Sequence, residues 1–479
     1  MLRLAVCVFA VFWAIPNGHT AQFVSLEDIV RNVLNSSLEI DKQQTFVDRS
    51  AAVSQQAAGA FDWNILAEGG FRRPIVIKSD QNNALTNETE VINVYNVNFG
   101  VEKRFRNGIS IAPGVSFTQS LNEENTDILA DSIPVGRIAV NIPLLQGRGT
   151  DANTANERSA MESFKATEYS RDRVTAKVLV NAVVFYWQSV AAKKNLEAEK
   201  RADKEAATLT DTLKKLSELG ELSILEYQTN VANLNLRRLK IEKSAVTWNS
   251  TRRNLAQLAN TVHSDENLPI PKDDFPNFST EIELNLDNNA LLDMAFNQRR
   301  DLLALQRKIQ SKRLNLLKKR NDTQPKLDLN VDLDKITVSY VQTLDGNLSK
   351  GLEKDTAAEL KAYEIDLQLL KRTITDDVYA ATRRLSLSYK SYQRAHKARR
   401  LLEQIAKATR EKVEQGTASR NEYLSALDKL LDVERIISSA NVDYVAALAE
   451  LRLATGTLPI GSENIKNTLN ALLTVPTNG

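Results

Sequence analysis

The chain has 479 residues, 62 basic against 60 acidic, a net charge of +2 and only 6% aromatic residues. That length admits several domains or one very elongated one, and the charge balance gives no global drive toward nucleic acid. A charged content of 25% with so few aromatics suits long solvated helices better than one compact globule.

Residues 1–21 read as a secretory signal: Arg3 starts it, Leu4 to Ile15 form the apolar core, and Gly18-His-Thr-Ala21 is a plausible cleavage region. Leu4-Ala-Val-Cys7 superficially resembles a lipoprotein box but lies too early, inside the apolar core. Cys7 is the single cysteine, so the mature chain is expected to lack thiols, disulfides and thiolate metal sites. No later stretch approaches the roughly 20 apolar residues of a membrane-spanning helix. An exported chain of this kind enters a membrane only as strands.

A helix is expected from about Ser25 to Ala58. Strand patterning follows over about 61–145. Phe61 to Phe71 alternates loosely. Tyr95, Val97, Phe99 and Val101 alternate with polar or small residues, as do Ile109, Ile111, Val115 and Phe117, then Ile138, Val140 and Ile142. Period two over about ten residues is the spacing of a barrel strand, apolar outside and polar inside, and also of a half-buried sheet in a soluble domain. A long helix is predicted from about Asp151 to Leu219, roughly 100 Å at 1.5 Å per residue, with a return arm from Ser223 to Asn260. Residues 263–286, rich in Asp, Asn and Pro (Pro269, Pro271, Pro276), read as a linker.

The same order then recurs. A short helix lies near 288–320, and strands over about 326–344 alternate at Leu327, Leu329, Val331, Leu333 and at Ile336, Val338, Tyr340, with a two-residue turn expected at Asp334-Lys335. A long helix near 352–415 and a return arm over 419–455 follow. That arm carries an unbroken coiled-coil seam from Tyr423 to Ala454, whereas Arg237 and Ser244 interrupt the matching seam of the first arm. Residues 459–479 read as a loosely ordered tail.

The two hairpin tips share one frame without a gap. Gly220-Glu-Leu-Ser223-Ile-Leu-Glu226-Tyr227 and Gly416-Thr-Ala-Ser419-Arg-Asn-Glu422-Tyr423 lie 196 residues apart. Glycine accepts the left-handed backbone at a helix C-terminus, serine caps the next helix, and glutamate three residues on closes a capping box. Leu255 to Thr261 lies over Leu451 to Thr457 at the same offset, and Val33-Leu-Asn35 over Ala295-Phe-Asn297 at an offset of 262. Two repeats are therefore expected, 22–262 and 287–458.

No catalytic constellation emerges. His19 falls in the signal, His263 in the linker and His396 in a basic helix, with no metal-ligand spacing, and Gly147-Arg-Gly149 is too short for a phosphate loop. An enzyme is not expected, and no cofactor.

The chain resembles the TolC family of outer-membrane efflux proteins over nearly its whole mature length. The resemblance rests on Pro143-Leu-Leu-Gln-Gly-Arg-Gly149, Leu219-Gly-Glu-Leu-Ser223, Gln415-Gly-Thr-Ala-Ser419 and Ala449-Glu-Leu-Arg-Leu-Ala-Thr-Gly-Thr457, in that order and spacing. It implies an α+β membrane protein: a trimeric outer-membrane β-barrel continued by a long periplasmic α-helical barrel, with two internal repeats per chain. It implies a passive exit duct of a tripartite efflux or type I secretion system, working with a periplasmic adaptor and an inner-membrane pump of RND, ABC or MFS type. It also implies contact with outer-membrane lipid, while the charge balance gives no reason to expect a nucleic-acid partner.

The adaptor-contact positions it implies are Gly220, Leu222 and Ser223 with Gly416, Ala418 and Ser419. Glu226 and Glu422 are the candidate aperture acids, and a second acid found three residues on in some members is Ser425 here. Better-known members have four strands per protomer, whereas up to six are counted here. Residues 74–90 and 120–134 would then be external loops, and Arg106-Asn107-Gly108 a tight turn. Either an 18-stranded trimeric barrel or a pair of strands folded outside a 12-stranded one fits that count. The rival readings are a periplasmic adaptor, which should show one hairpin between two small β-halves, and a soluble coiled-coil scaffold.

Overall fold

The computed structural model describes residues 23–79, 87–122, 128–130, 134–260, 268–278, 286–415, 417, 419–460 and 465–476. The expected signal, Gly416 and Ala418 lie outside the described residues.

Chain contacts divide into two units. The first comprises residues 1–42, 172–299 and 373–479, and the second residues 43–171 and 300–372. The elements run in the order β1 (Phe23–Val24), α1 (Leu26–Ser36), α2 (Leu38–Ala58), β2 (Trp63–Arg72), β3 (Ile75–Ser79), β4 (Asn87–Arg104), β5 (Ser110–Asn122), β6 (Ile128–Ala130), β7 (Val135–Pro143), α3 (Thr150–Glu218) and α4 (Ile224–Leu258). Then come β8 (Ile270–Pro271), α5 (Asn288–Gln298), α6 (Arg300–Asp322), β9 (Lys326–Val331), β10 (Ile336–Val341), α7 (Asn347–Glu414), α8 (Arg420–Thr455) and α9 (Ile465–Leu472).

In the first unit the core joins α1, α3, α4, α8 and α9 through Val30, Val33, Leu179, Val183, Tyr186, Leu255, Val445 and Leu472. Contrary to expectation, part of α3 is apolar enough to span a membrane by length and composition. About two-thirds of that stretch (67%) is buried, so the protein interior accounts for it. The N-terminus of α1 carries a complete capping box: Asp28 N–H donates to Ser25 Oγ (3.1 Å) and Ser25 N–H donates to Asp28 Oδ2 (2.9 Å).

The two short helices expected as single pieces are each broken, at Ser37 and Arg299, 262 residues apart in the chain. Both residues have extended backbone, with φ −72 and ψ 116 at Ser37 and φ −62 and ψ 120 at Arg299. Neither is Gly or Pro, which is why composition conceals the breaks. The Arg299 side chain is fully buried and donates to Asp377 (2.8 Å). Residues 268–278, part of the expected linker, are packed. Arg252 donates to the Leu268 and Pro269 carbonyls, and Tyr186 Oη donates to Asp273 Oδ2 (2.8 Å). Phe275 stacks on Trp187 at 5.3 Å, and Phe278 meets Tyr444 edge-on at 4.7 Å. The expected loose tail contains α9, whose Ile465, Thr468 and Leu472 are buried. A single eight-residue stripe of this kind is too short to register as a periodic pattern.

In the second unit one hydrogen-bonded path runs β10-β9-β7-β5-β4-β2, antiparallel at every step, with β3 appended to β4 and β6 to β5. Parts of both expected external loops, β3 and β6, are therefore strand. The β9–β10 connection is the four-residue loop 332–335, closed by Asp332 N–H donating to the Lys335 carbonyl (2.7 Å), rather than a two-residue turn. Asp-Lys lacks the left-handed preference a two-residue turn requires. Pro113 has no N–H, and the β4–β5 ladder is interrupted between Gly100–Gly114 and Lys103–Ile111 with its register kept.

Gly456 ends α8 with φ 72. A Cβ there would lie 2.8 Å from the Arg299 backbone, while Asn260 ends α4 in the same left-handed region at φ 52. Replacing Gly456 by Ala is therefore expected to destabilise by about 2 kcal/mol or more through strain and collision, and Asn260→Gly to change stability by less than about 0.5 kcal/mol. Thermal unfolding of the two variants in one detergent checks this.

Candidate functional site

In the sheet, the register carries every alternating apolar residue to one face. Paired residues Ala67–Phe99, Phe99–Val115, Val140–Val331 and Val331–Ile336 lie on it. That face is bare: Ile65 is 83% exposed, Ile336 73% and Val338 62%. Its ends are aromatic. Lys103 Nζ sits 4.9 Å over the Trp63 ring at one end, and Phe71 and Tyr95 pair at 5.1 Å at the other. Eight residue steps separate Trp63 from Phe71 on β2, about 26 Å of strand, which at the ~40° tilt of a barrel strand is roughly 20 Å of height, against about 25 Å for the apolar band between aromatic girdles in an outer-membrane barrel.

The opposite face is polar and internally bonded. Asn141 Nδ2 donates to Asn330 Oδ1 (2.7 Å), Asn330 Nδ2 to Ser339 Oγ (3.4 Å), and Arg137 pairs with Asp332 at 3.5 Å.

The segment Pro143 to Gly149 turns β7 into α3. Leu144 N–H donates to the Leu327 carbonyl (2.7 Å) and Gly147 N–H to Asn321 Oδ1 (2.8 Å), tying this junction to the one between α6 and β9. Gly147 and Gly149 have φ 84 and 85, and the Arg106-Asn107-Gly108 turn meets them through Gly149 N–H to the Asn107 carbonyl (3.1 Å). Arg106 pairs with Glu157 at 2.7 Å, which holds the Glu157 carboxyl below the usual carboxylate range.

In the first unit, α3 stops in a Schellman motif. Gly220 has φ 78, its N–H donates to the Ser217 carbonyl (3.1 Å), and Glu221 N–H donates to the Leu216 carbonyl (2.9 Å). Ser223 then caps α4, but its hydroxyl accepts from Leu225 N–H (3.3 Å) and not from Glu226. At the second tip Thr417 N–H donates to the Lys412 carbonyl (2.9 Å), the same bond 196 residues on, and Ser419 Oγ accepts from Glu422 N–H (3.2 Å). Gly220, Ser223, Ser419 and Glu422 are exposed, and Leu222 and Glu226 half-buried. Around the first tip Leu219, Ile224 and Leu225 are also largely exposed.

Several polar links that the sequence does not reveal tie the arms together behind the tips. Tyr423 Oη donates to Glu205 Oε2 (3.1 Å), and Arg237 pairs with Asp428 at 2.5 Å. Arg435 also contacts Glu199. Arg237, which interrupts the seam, is thus a buried charge with a partner on the other arm. It lines a cavity of about 430 Å³ with Asn230, Asn233, Leu424 and Asp428. Among the described residues no group of three or more His, Cys, Asp or Glu is placed to hold a metal ion.

No family profile matches the chain, and no curated protein sequence does. Solved structures do. The Campylobacter jejuni CmeC outer membrane channel superposes with a TM-score of 0.68 at 14% identity, over 99% of this chain and 98% of that one. This is the fold of the outer-membrane channels. The Vibrio cholerae outer membrane protein VceC (TM-score 0.63, 13% identity, 90% and 96% covered) shares it. So does the open state of the Neisseria gonorrhoeae MtrE outer membrane channel (0.64, 13%, 90% and 88%). At these identities the likeness is one of fold, and it agrees with the TolC-family resemblance read from the hairpin tips and the Pro143–Gly149 segment.

Two outcomes follow for the links behind the tips. Asp428→Asn strands the buried Arg237 guanidinium and is expected to lower stability by about 1–3 kcal/mol, while Arg237→Met is expected to cost less than about 1 kcal/mol. Denaturation of the two single variants and the double variant checks the asymmetry. Burial, with Glu205 beside it, pushes the Tyr423 hydroxyl above its ordinary value. The stability this link contributes is complete below about pH 10 and lost only as pH rises through the raised value. The tyrosinate absorbance change of wild type minus Tyr423→Phe is expected to lie above the free tyrosine titration.

Proposed function

We propose that the protein is the outer-membrane exit duct of a tripartite efflux or type I secretion system. It would pass cargo from an inner-membrane pump to the outside of a Gram-negative cell without chemistry of its own. The observation that carries this reading is the strand face: a band of exposed apolar residues ending in aromatics, backed by a polar face. In water such a face is an aggregation hazard, whereas against lipid it is the lowest-energy solution.

On this reading three copies close a barrel in the outer membrane. α3 with α4, and α7 with α8, form a hollow tube across the periplasm from two repeats per chain. Its tips, Gly220, Leu222, Ser223, Gly416, Ala418 and Ser419, meet a periplasmic adaptor, and the pump supplies the energy. Glu226 and Glu422 contribute six carboxylates near the mouth of a trimer, favouring cations and repelling anions.

Single-channel recording of the purified mature protein in a planar bilayer tests this. The expected result is discrete conductance, blocked by a trivalent cation in the wild type and much less in Glu226→Gln/Glu422→Gln. Equal block in the double variant would remove the acids from the mouth. A monomer that stays soluble without detergent and never conducts would overturn the duct.

A further inference from the structure

The six-strand path has two ends, β2 and β10. Edge strands of soluble sheets are blunted by lysine, proline or inward charges. Here β10 reads Ile-Thr-Val-Ser-Tyr-Val with no charge, and β2 has neither lysine nor proline, its two charges, Glu68 and Arg72, lying on the polar face. Both edges are exposed and rich in strand-forming residues. They are built to be paired.

Three features of the register say with what. The path holds six strands, all antiparallel to their neighbours, so β2 and β10 run in opposite directions and β2 laid against β10 of another copy is again antiparallel. The apolar residues of both edges, Trp63, Ile65, Ala67 and Phe71 on β2 and Ile336, Val338 and Tyr340 on β10, share one face of the sheet, so that junction keeps an apolar face continuous.

The third feature is stagger. Trp63, Lys103, Ile111, Val140, Val331 and Ile336 form one line of paired residues across the sheet. From that line the strands run on toward the helices unequally: β2 not at all, β4 to Arg104, β5 to Ser110, β7 to Pro143, β9 to Lys326 and β10 to Val341. The strand ends therefore slip by five residues over five strand spacings, a slope of about 35° at ~3.3 Å per residue and ~4.8 Å per spacing. That is the tilt a closed barrel requires.

We infer that β2 and β10 are the surface on which the next copy of this chain docks. All six path strands enter the wall, and three copies close an 18-stranded barrel. The number of copies rests on the duct reading above; the six strands per copy rest on the sheet. One more spacing at the same slope sets the next copy six residues along, pairing its Gly69 with Ile336 and its Asn64 with Val341. The register can otherwise change only in steps of two without turning apolar side chains into the lumen. Diameter grows roughly linearly with strand number, so this wall is about 1.5 times as wide as a 12-stranded one.

Cysteine pairing in native outer-membrane vesicles tests the edge, with Cys7, the single native cysteine, replaced by Ala. Leu66→Cys with Ser339→Cys, both on the polar face, is expected to give oxidant-dependent covalent dimers and closed trimers on non-reducing gels. Ala112→Cys with Ser339→Cys probes a 12-stranded wall in which β5 is the edge. Crosslinking of that second pair instead, in a protein that conducts, would overturn the 18-stranded closure and leave the duct intact. No crosslink in either pair, with a detergent-independent monomer, would overturn both.

Discussion

Backbone hydrogen bonding in a nonpolar solvent is the constraint on which the rest depends. A strand with one bare apolar face belongs against lipid, and lipid offers nothing to an unpaired N–H or carbonyl, so every edge must close. The alternation on β2, β4, β5, β7, β9 and β10 sets the first requirement, and the closure proposed above for the antiparallel path would meet the second. The long helices follow from where the strands end. Each strand block starts and finishes on the same side, and the glycines of the Pro143–Gly149 segment bend the chain there without leaving the junction unbonded.

The tips answer a different problem, how to reverse a helix of nearly seventy residues with almost no material. At the first tip the left-handed Gly220 stops one helix and Ser223 caps the next within three residues. The side chains behind the tips hold the arms together. Tyr423 on Glu205, Arg237 on Asp428 and Arg435 on Glu199 are polar links between those arms.

What was legible in the sequence was what periodicity and glycine report. The alternations at Tyr95 to Val101, at Ile138 to Ile142 and at Leu327 to Val331 fall in β4, β7 and β9. Gly220 sits at positive φ where the helix was expected to stop. What stayed hidden depends on partners distant in sequence. Ser37 and Arg299 break helices through burial and, at Arg299, an ion pair with Asp377. Residues 268–278 look like a linker until Tyr186, Trp187 and Arg252 are seen to hold them, and α9 is too short to announce itself. Of the candidate site, the capping frame could be read from spacing, but Ser223 bonds Leu225 and not Glu226, a choice set by local backbone angles that no motif encodes. Arg237 read as a flaw in a seam because Asp428, its partner, lies 191 residues away.

Electron cryomicroscopy of the detergent-purified protein, at a resolution that shows helices and strands, tests the central claim most directly. The account predicts a three-fold particle in which paired helices surround an open axis and a β-wall encircles the same axis beneath the detergent belt. A particle whose helices pack into a solid bundle, or whose strand face is covered by protein instead of detergent, would contradict it.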